Sequence, residues 1–198
     1  PRRSSDLEQS ARLIANKTGR AYLSPYNDHA IIAGQGTIGV EMVEQIPGLD
    51  AVFIAIGGGG LISGVGAYLK AVAPNVEVVG CSPAASPAMH RCLEAGKIID
   101  VPCRTTLSGA TAGGVEPGAI TFDICRMVVD RTVLVGEAHI ADAMRHIIST
   151  HHMLIEGAAG VAVAGYQQLA TEYRNKTVGI VLCGANISTI ELTKILAG

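Results

Sequence analysis

Gly57-Gly58-Gly59-Gly60 follows the apolar run from Asp50 to Ile56 and leads straight into Leu61-Ile62-Ser63-Gly64-Val65. A strand that stops at four glycines and resumes as a helix presents bare backbone where N–H groups converge at a helix N-terminus. Those amides and the positive end of the helix dipole can hold a phosphate without a cation. No lysine or arginine lies between Asp50 and Tyr68. An ordinary tight turn needs one or two glycines, and four in a row cost backbone entropy on folding. Two common phosphate loops do not fit. Gly64 is followed by Val65 rather than a lysine, which removes the Walker pattern, and no start within the four glycines completes the dinucleotide fingerprint.

The remaining composition narrows the ligand. The 198 residues are 48% hydrophobic with a net charge of -2, enough for one sizeable core. No basic run offers a footprint for nucleic acid or an anionic membrane surface, so a small molecule is the expected partner. Five cysteines (Cys81, Cys92, Cys103, Cys125, Cys183) form no Cys-x-x-Cys pair, which suggests neither a disulfide framework nor a zinc site and fits a reducing cytoplasm. The first twenty residues carry charges throughout, and no uninterrupted apolar stretch reaches about 18 residues, so neither a signal peptide nor a membrane span is expected.

In chain order, Leu7, Ala11 and Ile14 mark one face of a helix that starts after Ser5. Ala21-Tyr22-Leu23 is a short strand candidate and Ser24 to Asp28 a turn. Gly34-Gln35-Gly36-Thr37-Ile38-Gly39 matches the dinucleotide fingerprint as a string, but the strand after it ends in glycines where an acidic residue should meet a ribose. We therefore read Gly36 onward as a helix start, with Thr37 near its N-cap and Ile38, Met42, Val43 and Ile46 inward.

After the glycine loop the pattern predicts a helix to Val72, a strand from Val76 to Cys81, a helix from Pro87 to Ala95, and a long glycine-rich loop from Thr105 to Gly118. A loop of that length is expected to serve a site. Helices from Ala119 to Val129 and Glu137 to Thr150 flank a strand from Thr132 to Val135. His139, His146, His151 and His152 invite a metal hypothesis, but His139 and His146 lie two turns apart and read better as surface or interface histidines. A helix of small residues follows Glu156, a strand runs from Thr177 to Leu182, and Ser188 caps the final helix. Alternating helices and continuously apolar strands predict an α/β fold: three layers, a mostly parallel sheet with helices on both faces. Ligands in such sheets sit at the carboxyl ends of strands. Two of those ends, Gly57 to Gly60 and Cys183 to Asn186, are glycine-rich or small, so one phosphorylated ligand could touch both.

Gly34-Gln35-Gly36-Thr37, Gly57 to Gly64, Leu154-Ile155-Glu156-Gly157-Ala158-Ala159-Gly160 and Leu182-Cys183-Gly184-Ala185-Asn186, in that order, resemble the serine/threonine dehydratase and serine racemase family of fold-type II pyridoxal-phosphate enzymes. The resemblance implies that Gly57, Gly58, Gly59, Gly60 and Leu61 hold the phosphate of pyridoxal 5'-phosphate. It also implies that Cys183, where many relatives have serine, faces the pyridine nitrogen, that Glu156 lies beside the cofactor, and that Gly114 is on the substrate side. The implied reaction removes water and ammonia from a hydroxy-amino acid such as threonine or serine, in a homo-oligomer.

Three departures from the family pattern matter. Ser82 and Ala88 stand where ion-binding members carry carboxylates, so no metal site is expected. Ala112-Gly113-Gly114 replaces an acidic loop motif. The family's Schiff-base lysine motif has no counterpart around Lys17, Lys70, Lys97, Lys176 or Lys194, so no catalytic residue is expected within this chain. The chain thus resembles the C-terminal part of a family member: residues 1–20 as the end of a smaller N-terminal domain, 21–198 as the large cofactor-binding domain, and the lysine-bearing segment upstream. A non-catalytic phosphate- or effector-binding domain and an amino-acid racemase remain the alternatives.

Overall fold

The computed structural model describes residues 4–198. Four strands, β1 (Leu49–Ala55), β2 (Glu77–Pro83), β3 (Arg131–Val135) and β4 (Thr177–Ile180), form one sheet in the order β3-β2-β1-β4, and every pairing is parallel. Parallel neighbours need crossovers, and the helices α3 (Gly60–Val72), α5 (Ile120–Val128) and α7 (Gly157–Leu169) fall between successive strands. Strand alternation then divides the core. Val52, Ile54 and Val78 pack with Ile62, Val65, Leu69 and Phe122 on one face. Ala51, Phe53 and Val79 pack with Ile140, Met144, Ala159 and Val163 on the other. Helices on both faces of a parallel sheet are thus what the apolar runs predict, with β1 buried throughout its second half.

Small residues set the spacing on the second face, where α7 lies between the sheet and α6 (Glu137–His151). A Cβ on Gly165 would strike the Cys81 thiol, and one on Gly160 would come 2.8 Å from Met144. Phe53 projects from β1 into this layer and meets Tyr166 and Tyr173 edge-on, with centroids 5.5 and 5.1 Å away.

Two local expectations change. Ala21 to Leu23 pairs with no strand. The helix expected from Gly36 begins seven residues earlier: α2 runs His29–Gln45, and its N-cap is Asp28, whose carboxylate accepts from Ala30 N (2.8 Å) and Ile31 N (3.2 Å). Gly36 and Gly39 are therefore mid-helix residues. They are glycine because α2 crosses α3 nearly backbone to backbone: a Cβ on Gly36 would lie 3.2 Å from the Gly64 carbonyl oxygen, and one on Gly64 would collide with the Ile32 carbonyl. Ile38, Met42 and Val43 are half-buried against the core rather than central to it, and Ile46 is the C-cap. The first helix, α1, spans Ser4–Thr18, and α4 (Ala88–Ala95) ends at Gly96 in the left-handed region, φ 65°. Ser188 caps α8 (Thr189–Ala197) by accepting from Glu191 N. Among the described residues, no helix is long and apolar enough to cross a membrane.

Candidate functional site

The chain enters the sheet at β1, adds β2 and β3 on one side, and returns to add β4 on the other. The carboxyl ends of β1 and β4 therefore flank the topological switch point, where a crevice opens in sheets of this kind. A cavity of about 350 Å³ lies there, walled by Gly57 to Leu61 after β1, by Ala110 to Gly114, and by Glu156, Ala158 and Cys183.

The glycine loop is tight because its surroundings leave no space. Gly59, the N-cap of α3, has φ 90°, a conformation that disfavours any side chain. The Tyr26 ring lies against the loop: a Cβ on Gly58 would be 2.5 Å from it, and one on Gly60 2.8 Å from the Tyr26 Cα. Gly57 faces Thr111, whose Cα would be 2.8 Å from an added Cβ. The Thr121 hydroxyl donates to the Gly58 carbonyl at 2.7 Å, fixing that peptide's orientation from behind. As in any α-helix, the first-turn N–H groups of α3 have no intrahelical acceptor, so the dipole's positive end faces the cavity.

Across the cleft, Glu156 is the N-cap of α7 and its N–H donates to the Gly184 carbonyl at 2.9 Å. Its carboxylate rests on Gly184, which has no side chain to push it away. Desolvation by the surrounding atoms raises the Cys183 thiol's pKa, and the Glu156 charge pushes it the same way, although the residue as a whole is exposed at the mouth of the cleft. The thiol is a neutral group at physiological pH. Gly114 also lines the cavity, so the four predicted elements of the site, the glycine loop, Glu156, Cys183 and Gly114, come together in one place.

Sequence reasoning missed the supports. Tyr26 and Asn27 were grouped into a turn, yet the Tyr26 hydroxyl accepts from Glu116 N at 3.2 Å and burial drives its own pKa well above the usual range. Glu116, 5% exposed, is a buried carboxylate in the long loop. The Pro-Tyr-Asn-Asp string carried the one available signal, an Asx residue beside an aromatic in a turn.

The other candidates serve other ends. In the Gly34 to Gly39 string Gly36 and Gly39 serve helix packing, as described, while Gln35 and Ile38 line the cleft. Ser82 is buried, its hydroxyl donating to the Ile56 carbonyl at 3.3 Å, and Ala88 is buried in α4. No group of three potential metal ligands occurs among the described residues. His139, His146 and His151 lie on α6 and His152 caps it in the left-handed region, φ 55°. Lys70 is held at the far end of α3, donating to the Val76 carbonyl at 3.0 Å and to Asp130 at 2.6 Å.

A parallel α/β sheet with a side-chain-free loop and a helix N-terminus lining a cavity at its switch point defines the class of proteins that take small ligands at the carboxyl edge of the sheet. The family is the pyridoxal-phosphate dependent enzymes: their family model matches residues 2–184, and the chain belongs to it. Among relatives, an L-threonine ammonia-lyase of Thermotoga maritima is 37% identical over 95% of this chain and 46% of the relative. A serine racemase of Arabidopsis thaliana is 33% identical over 92% of this chain and 56% of the relative. The processed form of threonine deaminase isoform 2 from Solanum lycopersicum superimposes with a TM-score of 0.89 and 31% identity, covering 96% of this chain and 52% of that one. The chain spans about half the length of the relatives it matches.

Proposed function

We propose that this chain is the cofactor-binding part of an ammonia-lyase that removes water and ammonia from a hydroxy-amino acid such as threonine or serine. The observation that carries this reading is the loop itself: Thr111 and Tyr26 leave no room for a Cβ at Gly57, Gly58 or Gly60, so the segment that lines the cavity in front of the α3 N-terminus is bare backbone, the arrangement that suits a phosphate. The pyridoxal 5'-phosphate of the family, when bound, supplies an electron sink for the pair left on the substrate's α-carbon.

The roles of this chain's residues follow from their chemistry. Gly57 to Leu61 bind the phosphate through backbone N–H groups and the helix dipole. Cys183, kept as a thiol, offers the ring nitrogen a neutral partner and so leaves it largely unprotonated, which favours β-elimination over transamination. Glu156, packed on Gly184, would lie beside the bound cofactor. Gly114 bounds the substrate side and gives the amino acid room. Among the described residues no lysine lines the cleft. The lysine that holds the cofactor aldehyde is accordingly assigned to a segment outside these 198 residues, with residues 1–20 closing a smaller domain and 21–198 forming the large one. A cytoplasmic homo-oligomer completes the reading.

The test is made on the polypeptide that carries this sequence together with its lysine-bearing portion. It should bind pyridoxal 5'-phosphate and release 2-oxobutanoate from threonine or pyruvate from serine, and Gly58→Asp should abolish cofactor binding through collision with Tyr26 and charge repulsion. Unchanged cofactor affinity in Gly58→Asp would reject the phosphate assignment; D-serine as the main product would move the protein to the racemases.

A further inference from the structure

Glu116 is a buried carboxylate to which the proposed chemistry gives no task. Its side chain is 6% exposed, and it is satisfied from two directions. Asn27 Nδ2 donates to Oε1 at 2.7 Å, and the Arg12 guanidinium of α1 donates to the same oxygen at 3.1 Å and to Oε2 at 3.4 Å.

What Asn27 does with its other atoms gives the pairing its consequence. Asn27 Oδ1 accepts from Ile120 N at the first turn of α5, at 2.9 Å. The next residue, Thr121, is the one whose hydroxyl holds the Gly58 carbonyl. Asn27 N donates to Ser24 Oγ at 3.0 Å, closing the turn that carries Tyr26, and the Tyr26 hydroxyl is anchored on Glu116 N. Both braces of the glycine loop, the Tyr26 ring on one side and the Thr121 hydroxyl on the other, thus reach Glu116 through Asn27 or through its own backbone.

We infer that Glu116 is a positioning residue for the phosphate cradle: its carboxylate fixes Asn27, and Asn27 holds together the Tyr26 turn and the α5 terminus that orient the Gly58 peptide. Arg12 neutralises the buried charge and ties α1 to the same point. A charged acceptor suits this task, because hydrogen bonds to an ionised group are roughly twice as strong as neutral ones and one carboxylate can serve two donors at once. Glutamine retains the shape and one acceptor oxygen but removes the charge that strengthens the Asn27 and Arg12 bonds, and it turns an amide NH₂ toward the Arg12 donor, which cannot receive it. The inference rests on the reading of Gly57 to Leu61 as a phosphate site.

The experiment compares pyridoxal 5'-phosphate with pyridoxal, which lacks only the phosphate, by equilibrium binding to the intact polypeptide and to Glu116→Gln. A positioning role predicts that the variant loses affinity for the phosphorylated ligand by about tenfold, the scale of one charge-assisted hydrogen bond, while affinity for pyridoxal changes by less than about twofold. Amide hydrogen exchange over residues 57–61 of the ligand-free variant should accelerate, with the β2 amides unchanged. Should Glu116→Gln fail to fold, Asn27→Ser, which leaves the carboxylate on Arg12, reads the same difference. Equal losses for both ligands, or none, would overturn the positioning role. If the unaltered protein itself binds the two ligands equally, the phosphate site and this inference fall together; if it discriminates and the variant still does, the inference alone fails.

Discussion

Glu156 and Gly184 occupy each other's space: the Glu156 N–H donates to the Gly184 carbonyl at 2.9 Å, and its carboxylate lies where a Cβ on Gly184 would be. The turn after β4 therefore positions the acidic group of the α7 N-terminus. Gly184→Ala should swing the flexible end of Glu156 away at a stability cost of about 1 kcal/mol, the low end of overpacking costs. The absorbance of bound cofactor should shift much more than the melting temperature does. A variant with normal absorbance would separate Glu156 from the cofactor.

The α2–α3 crossing makes a paired prediction. At Gly64 an added methyl meets the Ile32 carbonyl and the Gly36 amide, both backbone atoms that cannot rotate aside. Gly64→Ala should destabilise by about 3 kcal/mol. At Gly34, on the exposed side of α2 with nothing within 4 Å of an added Cβ, alanine should stabilise by about 0.5–1 kcal/mol through helix propensity. Denaturant titration of both variants measures the contrast, and equal effects would disprove backbone contact as its cause.

His90 sets a pH dependence. Burial lowers its pKa below the ordinary value of 6.5, outweighing the nearby Glu94 carboxylate, which raises it; the Arg91 guanidinium lowers it further. Its Nδ1 lies 2.8 Å from Thr132 Oγ1, between α4 and β3. The unfolded chain binds the proton more readily, so this contribution to stability is complete above pH 6.5 and is lost as pH falls through the lower folded value. Melting temperature should drop over that acid range, and His90→Gln should flatten the drop. An unaltered slope in the variant would assign the effect to other groups.

Cys183 should be a slow nucleophile. With its pKa raised by burial and by Glu156, little thiolate exists at neutral pH. Iodoacetamide labelling followed by peptide mass spectrometry should find it alkylated more slowly than free cysteine at neutral pH, and more slowly still with pyridoxal 5'-phosphate present. Labelling at the same rate with and without the ligand would place the thiol outside the occupied part of the cleft.

The parts of this fold legible in the sequence are those dictated by neighbours along the chain. A run such as Ala51 to Ile56 can only be a buried strand, and four glycines after it can only be a place where something approaches the backbone. Cys183 is legible as the end of an apolar strand at a small-residue turn, whereas Glu156 stands out only through the resemblance carried by Leu154 to Gly160. The start of α2 is not legible because glycine in a single sequence looks like a helix breaker; Gly36 and Gly39 fit there because Gly64 and Val65 press against them from another helix. Asp28, the real cap, was absorbed into a turn whose composition it shares. Tyr26, Asn27 and Glu116 were invisible as a unit for a different reason. Their bonds join residues about ninety positions apart, and no periodicity connects such partners.

The pairing of β4 with β1 brings Thr177 beside Leu49, so nearly the whole chain must be threaded before that ladder closes. Contacts so remote in sequence incur their loop entropy early and return it late, which makes them the slow events of folding. The cleft has Gly57 on one bank and Cys183 on the other, and hence has no existence in any partly assembled chain. A ligand that spans the two banks binds only the finished protein. By mass action it holds the last strand in place and acts as a clasp against the first step of unravelling.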